Sequence, residues 1–241
     1  MTAIPENRRK EDVYHFIMTL IVHIPYKLGI VIVSDQKNTY LNNDFKPEYG
    51  VVDKSLVKPD MGYVLVCAGD TLVYQNMFHT IRTDTSIDCR NIRDRVKEYI
   101  NAKLKEGRLI TDTYDIELLI VTKNGDEISS LDMLGATERG TIRTDSFTTI
   151  GSHQIPKELV FLKFHVENLE LDDAISFGLS TINFVSGIDD GVGHTNEYGA
   201  SIIIVEKDGG IRKENRSPED IKAENIFKCV SKLISESKIK D

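Results

Sequence analysis

Two apolar runs joined by a short turn constrain this chain more than any other feature: Thr19-Leu20-Ile21-Val22-His23-Ile24-Pro25, then Tyr26-Lys27-Leu28-Gly29, then Ile30-Val31-Ile32-Val33. Neither run alternates apolar with polar residues, so the pair reads as a hairpin buried on both faces. Such strands belong inside a layered protein. Residues 63–68 (YVLVCA) give another buried strand, ending in Gly69-Asp70-Thr71, where Asp70 or Thr71 can accept a hydrogen bond from the first free amides of a helix. Residues 36–62 between them, with Asn42-Asn43, Pro47, Gly50 and Pro59, read as a polar connection.

Further on, Ile92, Val96, Tyr99, Ile100 and Leu104 recur at helical spacing, and Gly107 stands where a helix would stop. Residues 114–123 and 127–134 flank Asn124-Gly125, a strong hairpin signal. A polar linker leads to a short strand at 147–150. A helix over 154–165, with Pro156 in its first turn, and a second over 171–185 follow. An apolar strand at 200–205, a turn at Asp208-Gly209-Gly210 and a charged helix starting near Ser217-Pro218-Glu219 complete the chain. Strands come in groups and helices in pairs, which predicts a single layered α+β domain rather than alternating βαβ units.

Composition removes several functions. With 38 acidic against 30 basic side chains in 241 residues the net charge is −8, which argues against a partner bound by neutralising phosphates, so no nucleic acid is expected. No stretch reaches the roughly eighteen apolar residues of a membrane-spanning helix, so no membrane is expected either. Cys67, Cys89 and Cys229 are odd in number and widely spaced, which fits a reducing cytoplasm. The six histidines lack metal-ligand spacing, and no phosphate-binding glycine loop, HExxH or GxSxG motif occurs. The expectation is therefore no cofactor. The segment from Gly187 to Gly193 reads first as a turn-rich loop, with a cation held by carbonyls and carboxylates over Asp189 to Thr195 as its other reading.

The arrangement of the first seventy residues resembles the proteasome-type N-terminal threonine hydrolases. Thr19 opens the first strand, and the second ends at Asp35, sixteen residues on; Lys54 is similar to that family's lysine, and Ala68 follows it by fourteen residues. Thr149-Ile150-Gly151-Ser152 resembles the family's Gly-Ser-Gly turn, Asp190 its aspartate after the long helix, and Tyr198-Gly199-Ala200 with SIIIVEKDGG its penultimate strand. The resemblance covers roughly 19–212. It implies a four-layer αββα sandwich of N-terminal nucleophile hydrolase type, with Thr19, Asp35, Lys54, Ser152 and Asp190 as catalytic residues. It further implies a threonine endopeptidase acting on peptides or unfolded proteins, a homo-oligomeric ring, and delivery by an ATP-dependent unfoldase. An inactive ring or scaffold subunit and an amide-transferring amidase or ligase are the alternatives.

The residue types suit that chemistry. A threonine hydroxyl needs a base, and a free α-amino group on the same residue can take its proton. An ammonium such as Lys54 lowers nearby proton affinities, and a carboxylate such as Asp35 offsets its buried charge. The oxyanion would take a backbone amide near Val66 to Gly69, and counting along the chain leaves the donor unassigned. The mechanism requires residues 1–18 to be a leader that is removed, or translation to start at Met18 and expose Thr19 after methionine removal.

Overall fold

The computed structural model describes residues 19–41, 47–106, 116–151 and 169–223. The opening hairpin forms as its sequence predicts: β1 (Leu20–Tyr26) and β2 (Gly29–Asp35) are buried at every position. The polar stretch after them is not a plain connection. It folds into β3 (Lys37–Leu41), β4 (Pro47–Val51) and β5 (Ser55–Lys58), and a short 3-10 turn then leads to β6 (Tyr63–Gly69).

Helix α1 (Thr71–Thr83) follows, and Asp70 Oδ1 accepts the Val73 N–H at 3.1 Å, so of the two capping candidates the aspartate makes this bond. Helix α2 (Ile92–Lys105) buries Ile92, Val96 and Ile100, three of the residues whose spacing predicts it. The Asn124-Gly125 turn joins β7 (Ile116–Asn124) to β8 (Glu127–Leu134), and the expected linker after it is a further strand, β9 (Thr137–Ile142). Then come β10 (Thr148–Gly151), the long helix α3 (Leu171–Ser186), one short helical turn α4 (Thr195–Tyr198), β11 (Ala200–Glu206), β12 (Ile211–Arg216) and α5 (Pro218–Ala223). The helix expected over 154–165, the stop at Gly107, the leader 1–18 and most of the C-terminal helix lie outside the described residues.

The strands make two antiparallel five-stranded sheets, ordered β10-β1-β2-β11-β12 and β5-β6-β7-β8-β9, with β3 and β4 as a separate ribbon. Because side chains alternate along a strand, each interior strand feeds two cores. Leu20, Val22, Ile24, Val33, Ile202 and Ile204 of the first sheet pack with Ala174, Phe177, Leu179 and Ile182 of α3. Ile21, Ile30, Ile32 and Ile203 face the other way, against Val64, Val66, Leu119 and Val121 of the second sheet. The outer face of that sheet, with Leu65, Cys67, Leu118 and Ile120, carries Met77 and Ile81 of α1 and Val96 and Ile100 of α2. The α+β expectation holds in this form, as a mixed fold of antiparallel sheets with few helices. Two helices cover the second sheet and one described long helix covers the first, where a pair was expected.

Candidate active site

The β1–β2 register places Ile21 opposite Ser34, so the residues just outside that pair, Thr19-Leu20 and Asp35, meet at one end of the first sheet. Asp35 is fully buried there. Its Oδ1 accepts the Leu20 N–H at 3.0 Å, and its Oδ2 accepts the Lys37 N–H at 3.2 Å and the Gly193 N–H at 3.1 Å. The same Oδ2 accepts from Lys54 Nζ at 2.9 Å, and the side chains of this pair are 3 % and 0 % exposed. The two sheets are thus tied by a buried ion pair one residue away from Thr19, which is itself buried.

Lys54 precedes β5, and its carbonyl accepts the Cys67 N–H of β6 at 2.9 Å. Burial pushes the Lys54 ammonium below its usual range; Asp35 opposes that shift and Lys37 adds to it. Three backbone N–H groups, of Leu20, Lys37 and Gly193, donate to the Asp35 carboxylate besides the lysine, so both of its oxygens are bonded.

Of the residues singled out in the sequence, Thr19, Asp35 and Lys54 converge. Asp190 arrives by its backbone only: it is exposed, and its carbonyl oxygen accepts from Lys37 Nζ. Ser152 lies outside the described residues, although Gly151 before it is placed. Gly151 pairs with Leu20, has φ +99, and a Cβ there would collide with the Thr19 carbonyl oxygen. The loop after α3 closes the site with the Gly193 amide. A Cβ on Gly193 would run into Lys37 and press on Asp35 Oδ2, so this position must lack one.

Lys37 and Gly193 carry no motif. Lys37 sits under the Tyr49 ring of β4, with its ammonium 4.4 Å from the ring centroid, and 5.6 Å from that of Tyr198. Tyr198 therefore faces this lysine. The reading of the 189–195 loop as a cation seat meets the same group, since Lys37 already supplies a cation to the Asp190 carbonyl. Among the described residues no group of three His, Cys, Asp or Glu side chains could hold a metal ion, and no helix is long and apolar enough to cross a membrane.

Two helix-covered antiparallel sheets, tied at one end by the buried Lys54–Asp35 pair, define a proteasome-like fold. The solved structures that overlay on it are of Anbu. The Gly-1 mutant of Anbu from Hyphomicrobium sp. strain MC1 matches with a TM-score of 0.66 at 16 % identity. Anbu from the same strain gives 0.63 at 17 %, and Anbu from Yersinia bercovieri, described as an ancestral beta-subunit, gives 0.65 at 14 %. Each comparison covers 92 % of this chain and 97 % of the other. No family model and no curated protein matches the chain. The resemblance to threonine hydrolases of the proteasome type is corrected accordingly: the structures that overlay are Anbu, and at such identities they establish a fold and bring no threonine-hydrolase membership with it.

Proposed function

We propose that this chain hydrolyses peptide bonds through an acyl-enzyme on Thr19, formed once Thr19 carries a free α-amino group. The observation that carries this reading is the Lys54–Asp35 pair, held between the sheets with Asp35 bonded to the amide next to Thr19. A buried, paired ammonium is costly, and its place beside a strand-opening threonine gives it a use in lowering proton affinities around that residue.

In the proposed reaction the Thr19 hydroxyl gives its proton to the α-amino nitrogen as its oxygen attacks the substrate carbonyl carbon. The C–N bond then breaks, the leaving amine takes that proton, and water cleaves the ester by the same route in reverse. Amide directions alternate along a strand, so the Gly69 N–H points to the same edge as that of Cys67, beyond the first residue of β5. We assign it as the oxyanion donor. Ser152, outside the described residues, is kept as a candidate from the sequence alone, and Asp190 acts through its carbonyl on Lys37. The same reading includes a complete four-layer sandwich, assembly with copies of this chain into a ring, and peptides or unfolded chains as substrate.

Intact-mass measurement of the native protein, with peptide turnover by wild type and Thr19→Ala, tests it. The expected outcome is a chain beginning at Thr19 whose turnover falls by about a thousandfold or more in the variant. Unchanged turnover, or full activity in a chain that retains residues 1–18, refutes it. A processed but inert chain would point to a scaffold subunit, and ligated product on adding a peptide amine to an amide-transferring enzyme.

A further inference from the structure

Glu117 is out of place by pattern. On β7 it shares a face with Leu119 and Val121, which pack between the two sheets, so alternation sends a carboxylate toward an apolar interface. The structure shows what it meets there. Its Oε2 accepts the Gly151 N–H at 2.6 Å, and its Oε1 accepts from Arg139 Nη2 at 3.0 Å.

Both partners are irregular backbone positions. Arg139 is the extra residue of a bulge in β9: Glu138 pairs with Met133 and Gly140 with Asp132, which leaves Arg139 without an opposite number, and bulges re-aim side chains in this way. Its other nitrogen lies 3.9 Å from Asp132 Oδ2. Gly151 holds a positive φ, and a Cβ added there would run into the Thr19 carbonyl oxygen and press on Ala68 of the second sheet, so its backbone lies close against Thr19. A continuous line of contacts therefore runs from Arg139 through Glu117 and Gly151 to Thr19.

We infer that Glu117, oriented by Arg139, is a positioning residue that staples the β10 edge of the first sheet to β7 and so fixes the seat of Thr19. This deepens the proposed function and rests on it for the catalytic consequence. The structural consequence stands alone: without the carboxylate a part-buried amide loses its acceptor, and the β10 end is free to move away from β1. Misplacement of a reacting group by small distances is expected to slow the chemical step more than binding.

The test compares processed wild type with Glu117→Ala, Glu117→Gln, Arg139→Ala and, as a destabilised control remote from the site, Ile87→Ala in the core under α1 and α2. Peptide kinetics and amide exchange at Ile21 are both measured, because the Leu20 N–H goes to Asp35 and that of Ile21, opposite Ile150, points to β10. Glu117→Ala is expected to lower kcat by about tenfold or more with KM changed by less than about twofold, and to speed Ile21 exchange by about tenfold. Glu117→Gln keeps an oxygen for the Gly151 N–H and should recover most of the loss; if the alanine variant does not fold, Glu117→Gln and Arg139→Ala should each show the same effects at about two- to threefold. A kcat loss and exchange pattern no different from those of Ile87→Ala overturn the inference. If wild type has no Thr19-dependent turnover, the catalytic reading has failed on its own, and Ile21 exchange decides: acceleration in Glu117→Ala supports the staple, and unchanged exchange overturns it.

Discussion

Asp35 and Lys54 depend on each other unequally. The carboxylate has the Leu20, Lys37 and Gly193 amides as well as the lysine, whereas the ammonium relies on Asp35 for its charge partner. Removing Asp35 should therefore do more damage. Asp35→Asn leaves a buried cation facing a neutral amide and is expected to destabilise by about 3–5 kcal/mol, against about 1–3 kcal/mol for Lys54→Met, which leaves an anion that still accepts three backbone N–H groups. Urea unfolding of the two variants checks the order, and a larger loss in Lys54→Met would contradict it. Both should lose turnover if the proposed chemistry is right. These two residues and Thr19 were legible in the sequence through the family resemblance of the opening strands, and the structure places them side by side. Lys37, Gly193 and Glu117 were not, since their partners lie up to 158 residues away and depend on a loop and a sheet edge that no local pattern encodes.

Elements divide the same way, by position in the sheet. Strands β1, β2, β6, β7 and β11 lie inside a sheet and have the long apolar runs that buried strands require. The unforeseen ones are the edges β5, β9 and β12 and the separate β3–β4 ribbon. TERGTI and IRKENR read as linker or turn because an edge strand stays soluble by carrying charge, and that charge erases the apolar pattern. Strand β10, also an edge, ends at the constrained Gly151. Gly151→Ala should cost about 2–4 kcal/mol, from the unfavourable φ and the collision with the Thr19 carbonyl, and should disrupt the β1–β10 pairing. Gly210→Ala, in open space, should stay within about 0.5 kcal/mol of wild type. Denaturation midpoints of the two distinguish strain at β10 from a general intolerance of added methyl groups.

At the scale of the whole molecule, the joint between the sheets carries one buried histidine that the sequence displayed only as a defect in an apolar run. His23 of β1 bonds through Nδ1 to the Ser146 carbonyl at 3.0 Å and through Nε2 to Ser130 Oγ of β8 at 3.1 Å. The carbonyl can only accept, so Nδ1 carries the proton and neutral Nε2 accepts from the serine hydroxyl. Burial pushes its pKa down from 6.5 to about 4, against the opposing pull of the Ser146 carbonyl. Between these values the unfolded chain binds the proton and the folded chain does not. Stability from this group is therefore complete above pH 6.5 and is lost as the pH falls toward 4, by about 3 kcal/mol in all. His23→Gln keeps a donor and an acceptor without a titrating ring, so its unfolding free energy should be flatter than that of wild type between pH 6.5 and 4. Curves that run parallel through that window would show that the histidine does not set the acid response of the sheet–sheet joint.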